Sequence, residues 1–158
     1  GISGYNGDGS LAINAQLNFP SAVAAQSGAT ETFVIADTGN HCVRKVSFGN
    51  ISTLAGNGTA GFGEGYPGQL NNPTSLSLLN NCLYIADSNN HRIRKIPDIQ
   101  STPSIITVVG AGAPGFSGDG GAPLAAQLTG PRGVSAVDVT HIYIADTGNH
   151  RIRMFTDT

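Results

Sequence analysis

Behind Pro20, Pro73 and Pro131 the chain enters short alternating runs, with Val23 and Ala25, Leu76 and Leu78, and Val134 and Ala136 at every second position. A period of two is the signature of a β-strand. A second apolar run follows each of these and differs in kind. In 33–37, Phe33 and Ile35 share one face while Val34 and Ala36 share the other. Both faces are apolar, so this strand is expected to be buried on both sides, as the centre of a stacked sheet is. A third run covers 43–46, 93–96 and 152–155, and a fourth covers 51–55 and 105–109. No segment shows a helical period. The pattern predicts an all-β chain built from units of four short antiparallel strands.

The runs recur because the sequence itself recurs. FVIADTGNHCVRK at 33–45 returns as LYIADSNNHRIRK at 83–95 and as IYIADTGNHRIRM at 142–154. Asp37, Asp87 and Asp146 stand 50 and then 59 residues apart, the longer step falling on extra residues around 97–104. A second, glycine-rich element repeats in phase. It runs from Gly4 through Gln16 and Leu17 to Pro20, from Gly61 through Gln69 and Leu70 to Pro73, and from Gly115 through Gln127 and Leu128 to Pro131. Leu17, Leu70 and Leu128 are expected to be core plugs that tuck each linker onto the fold. Three units follow, with approximate bounds 1–56, 57–110 and 111–158. Between the second and third strands lies a tight polar turn, in which the aspartate accepts backbone N–H groups. Gly39 and Gly148 are expected to take the left-handed conformation there, with Asn89 as the tolerated substitute.

The IAD-turn-NH string and the glycine-rich element together resemble the NHL repeat family, over nearly the whole chain. The letter after Asn-His departs from the family signature, being Cys42, Arg92 or Arg151. The resemblance implies β-propeller blades, commonly six to a ring, so that three repeats make half of a six-bladed propeller. It implies roles in protein binding, in RNA binding or in extracellular scaffolding; a related propeller carries a peptide-amidating lyase that depends on an axial metal. The glycine-rich variant is similar to repeats of secreted and surface proteins. The first unit starts in its linker and the last stops after its third strand. Open blade faces and strand edges are liabilities for a soluble protein. The expected partners are therefore other copies of the chain or further blades of the same chain, in a closed ring or a filament.

Composition narrows the function. Glycine supplies 22 of the 158 residues and charged residues only 11%, which suits tight turns. The net charge of −2 argues against nucleic acid. Arg44, Lys45, Arg92, Arg94, Lys95, Arg151 and Arg153 occupy one phase of the repeat rather than a basic face. No run of apolar residues is long enough for a membrane helix, and the start at Gly1 is neither a Met nor a signal peptide. Cys42 and Cys82 form no framework and are expected not to bond to each other.

Each candidate site has a structural alternative. His41, His91 and His150 invite a metal reading, but one per blade on a ring lies too far apart for shared zinc coordination. A role in capping the turn or packing on the next blade is favoured, and His141 is expected to be a surface residue. Asp37, Asp87 and Asp146, with Arg44, Arg94 and Arg153, read as turn-organising ion pairs rather than paired catalytic acids. The glycine-rich loops lack the residues of a phosphate or calcium loop, the second having its acid shifted to Glu64. They read as linkers, with Tyr5, Phe62 and Phe116 packing beneath. Asn50 and Asn57 head two glycosylation sequons on turns. These readings converge on a non-enzymatic, extracellular or cell-surface structural and binding module. It would need no cofactor, carry covalent glycans and bind proteins. A propeller-based enzyme, such as a metal-dependent lyase, and a ligand-binding ectodomain stand as the alternatives.

Overall fold

The alternating runs become eleven strands in a computed structural model, which describes residues 1–25, 31–138 and 140–156. The first sheet holds β1 (Ala22–Ala25), β2 (Thr32–Asp37), β3 (Cys42–Ser47) and β4 (Asn50–Ala55). The second holds β5 (Pro73–Leu79), β6 (Cys82–Asp87), β7 (Arg92–Ile96) and β8 (Ile106–Val109). The third holds β9 (Gly133–Ala136), β10 (His141–Asp146) and β11 (Arg151–Thr156). Every sheet is antiparallel and ordered as the chain is. These are propeller blades.

Register repeats from blade to blade. Ile35 faces Arg44, Ile85 faces Arg94, and Ile144 faces Arg153. Because side chains alternate along a strand, this register sets one arginine per blade on the same face as the isoleucine beside it.

The core lies between the sheets. One apolar cluster joins Val34, Ala36 and Val43 of the first blade to Leu76, Leu83 and Ile85 of the second. The other joins Tyr84, Ala86 and Ile93 of the second blade to Val134, Ile142 and Ile144 of the third. Strand β6 is therefore buried on both faces, as its apolar alternation predicts. The same expectation fails for β2 and β10. Phe33 and Ile35 are only half-buried, and Tyr143 is exposed, because among the described residues no sheet covers that side of either blade. Leu70 and Leu128 are buried plugs at the two blade joints. Leu17 is only half-buried, contrary to its reading as core, since its outward side meets no preceding blade among the described residues.

Candidate functional site

Each β2-type strand ends on an aspartate that is wholly buried, and a buried carboxylate must be hydrogen-bonded. Asp87 accepts the backbone N–H of Asn71 at 2.7 Å, the side-chain amide of Asn90 at 2.8 Å and Arg94 Nη1 at 3.0 Å. Asp37 does the same with Asn18, Asn40 and Arg44, and Asp146 with Thr129, Asn149 and Arg153. The asparagine amide also donates to the carbonyl of the glycine that opens the glycine-rich element, Gly4, Gly61 or Gly115. One carboxylate thus fastens the turn, the incoming linker and the arginine of the next strand. Burial pushes the Asp87 carboxyl up and the Arg94 guanidinium down, while their mutual attraction and hydrogen bonds pull the other way.

The arginines continue the fastening into the linker. Arg44 reaches Asp8 at 2.6 Å, and Arg153 reaches Asp119 at 2.6 Å. Glu64, the shifted acid, stands 3.7 Å from Arg94 and instead accepts from the N–H and hydroxyl of Thr107. Arg94 donates to the carbonyls of Gly63 and Gln69, as Arg153 does to those of Ser117 and Gln127. The linker aromatics stack on these guanidiniums. Phe62 lies under Arg92 and Arg94, Phe116 under Arg151 and Arg153, and Tyr5 under Arg44. Sequence reading placed the aromatics beneath the linker but missed this stacking. Its signal was available: the blade with Cys42 in place of the outer arginine is the one with a tyrosine, whose hydroxyl pairs with Thr53.

The turn departs from its expected form. Gly39 and Gly148 are not left-handed; the left-handed residues are His41, His91 and His150, with φ of 52°, 54° and 56°. Gly39, Asn89 and Gly148 lie inside single 3-10 turns, at 38–40, 88–90 and 147–149. Glycine serves close approach there. Gly39 and Gly148 donate to the carbonyls of Asn18 and Thr129 at 2.8 Å, and a β-carbon on either would meet that oxygen. Asn89 makes the equivalent bond, to Asn71, at 3.1 Å. The small retreat makes room for its side chain.

Left-handed geometry turns the imidazole toward the next blade. His41 Nδ1 accepts the backbone N–H of Asn72, and His91 Nδ1 accepts that of Gly130. Beside them, Thr38 donates to the carbonyl of Pro73 and Ser88 to that of Pro131, each at 2.6 Å. The histidines are thereby separated, one to each joint. Among the described residues no three His, Cys, Asp or Glu side chains gather in a metal-binding group. His141 is a half-exposed residue paired with Asp138 at 2.8 Å, whose carboxyl is held below its ordinary range by the Thr140 and His141 donors. Cys42 and Cys82 form no disulfide with each other, and burial pushes the Cys42 thiol up to about 12. Asn50 and Asn57 are both exposed.

The family model of the NHL repeat matches residues 70–96 and 128–155, the segments that carry the second and third copies of this arrangement. The chain carries NHL repeats. NHL repeat-containing protein 2 of Homo sapiens is 33% identical over 147 residues, covering 86% of this chain and 20% of that protein. The NHL segment described here thus spans about a fifth of that relative's length. Among solved structures, a structural genomics protein of unknown function from Bacteroides thetaiotaomicron superposes with a TM-score of 0.68 at 21% identity, over 79% of this chain and 32% of that one. An auxiliary nutrient binding protein from the same organism gives 0.66 at 18% identity, over 80% and 35%. At such identities these two share the blade architecture of the NHL chain.

Proposed function

We propose that the chain is a non-catalytic contact module of an extracellular or cell-surface glycoprotein. One observation carries the reading. The polar residues marked out by repetition turn inward: Asp87 and Arg94 are wholly buried and tied to one another, and His41 and His91 fasten blade to blade. Residues that an acid–base or metal site would use are held as structural fasteners. What the module offers outward is apolar surface on its end blades and two glycosylation turns. Asn50 opens β4 at a hairpin, and Asn57 lies in an exposed turn where its side chain accepts the N–H of Thr59. Exposed apolar surface on a rigid scaffold is the substance of protein–protein contact.

The test is secretion of the chain behind a cleavable signal from eukaryotic cells, followed by intact-mass and glycopeptide analysis. Export with glycan on Asn50, Asn57 or both is the expected result. A folded, exported chain bare at both positions overturns the glycoprotein reading. Catalytic turnover in a screen with added Zn²⁺ or Ca²⁺ overturns the non-catalytic one.

A further inference from the structure

The hairpin between β3 and β4 turns on two residues, Phe48 and Gly49, with Ser47 facing Asn50 across its foot. Both tip residues are left-handed, with φ of 48° and 78°. That geometry matches the twist of the strands and favours asparagine and glycine at the tip. The hairpin between β5 and β6 obeys the rule, with Asn80 and Asn81 at φ of 49° and 67°. Phe48 breaks it. An aromatic residue adopts a left-handed backbone reluctantly, and this one is not compensated by burial, being 71% exposed. Phe62 and Phe116 lie under guanidiniums, whereas Phe48 stacks on no cation among the described residues. The tip is fixed from both sides. The Phe48 N–H donates to the carbonyl of Glu31 at 3.3 Å, and the carbonyl of Gly49 accepts the N–H of Ala12 at 2.8 Å. A rigid turn therefore holds the ring out into solvent, and a strained residue kept in place points to a function.

Two residues on stands Asn50, the head of the sequon Asn50-Ile51-Ser52. Side chains alternate along β4, so Asn50 and Ser52 are exposed together while Ile51 is buried between them. Asn50 leans back over the tip, its Nδ2 donating to the carbonyl of Phe48 at 3.5 Å. In the left-handed conformation a carbonyl oxygen lies close to the β-carbon of its own residue. The nitrogen that a glycan would occupy is thus brought beside the stem of the exposed ring. The matching loop of the second blade, 97–105, carries neither an aromatic residue nor a sequon.

We propose that Phe48 is the platform for the first sugar of a glycan on Asn50, its ring packing on the C–H face of an N-acetylglucosamine joined to Nδ2. The face of an aromatic ring is electron-rich, and the C–H groups on one side of a pyranose are its apolar, weakly positive complement. In the joining step the C1–O bond to a lipid diphosphate donor breaks and the diphosphate leaves with the electron pair. The C1–Nδ2 bond forms, and Nδ2 releases one proton. The hydrogen that stays on Nδ2 still serves the Phe48 carbonyl, so the sugar is added without undoing the turn. The inference rests on the glycoprotein reading and names the residue that receives its sugar.

The experiment is a stability cycle on the chain carrying Asn57→Gln, so that one site is read. The chain is made in eukaryotic cells and trimmed by an endoglycosidase to a single N-acetylglucosamine, and made in bacteria bare at Asn50. Each form is compared with its Phe48→Asn and Phe48→Tyr variants. In the bare chain Phe48→Asn should raise the folding equilibrium constant by about 3- to 10-fold, by relieving the left-handed aromatic. With the sugar in place that gain should shrink by about 2- to 10-fold, the strength of a face contact to an aromatic ring. Phe48→Tyr keeps the ring and should keep the coupling. In the trimmed chain the sugar's ring protons should be shifted upfield by Phe48 and should lose that shift in Phe48→Asn. An equal effect of Phe48→Asn with and without the sugar, or sugar protons unmoved by the substitution, overturns the proposal while the occupied Asn50 upholds the glycoprotein reading. In the unaltered chain, glycan on Asn57 alone overturns the proposal and leaves that reading standing. Glycan on neither overturns both.

Discussion

His41 holds Asn72 across the joint between the first two blades, its Nδ1 accepting the backbone N–H at 3.1 Å. The same bond, from Gly130 to His91 at 3.0 Å, closes the second joint. The residue needs a left-handed backbone and an acceptor at once. His91→Ala should lose both, by about 1–3 kcal/mol for the stranded N–H and about 1 kcal/mol for alanine in that conformation. His91→Gly should lose only the first. Urea denaturation of the pair checks this, and equal losses would count against the conformational part.

Asp87→Ala should be among the most damaging substitutions, about 3–5 kcal/mol, because it strands the buried Arg94 charge. Asp146→Ala should cost less. Arg153 keeps Asp119 at 2.6 Å, whereas the second acid near Arg94 is 3.7 Å away. The comparison is read from denaturation midpoints, and a reversed order would refute the assignment of Asp119 as the reserve partner.

Gly148→Ala should destabilise by about 1–3 kcal/mol, through overpacking against the carbonyl of Thr129 rather than through backbone strain. Asn89→Gly should be nearly neutral, since that turn already stands back. Thermal unfolding of the two variants separates packing from conformation.

Cys42 makes stability fall in alkali. Burial raises the folded thiol from its ordinary 9.0 to about 12. The unfolded chain therefore releases this proton first as pH rises. The stabilisation is full below pH 9 and is lost on the way to about 12. Cys42→Ala should flatten that part of the stability profile relative to wild type. In the native chain at pH 8 an alkylating reagent should leave Cys42 untouched and label it after denaturation.

The strands, the blade repeat and the division of labour among Asp, His and Arg were legible because each is a one-dimensional pattern, fixed by alternation and spacing. What escaped was geometry that spacing does not encode. The Asp-Thr-Gly-Asn string suggested a left-handed glycine, yet three residues of 3-10 turn shift the left-handed position onto the histidine. Leu17 shares its motif with Leu70 and Leu128, but burial depends on the neighbouring sheet, which local sequence does not report. The stack of Phe62 between linker and arginines joins residues thirty positions apart. Only the covariation of Tyr5 with Cys42 hinted at it.

Each sheet is made from one uninterrupted stretch of chain, strand after strand in order. A blade leaving the ribosome can therefore pair its own strands before the next is made, with only short loops to close. The joint then runs backwards in time: the newly made linker amide of Asn72 is offered to His41, which is already in place. Synthesis and assembly proceed in the same direction, each blade completed by the arrival of its successor. Duplicating one such stretch in the gene would add a blade already equipped with both halves of a joint.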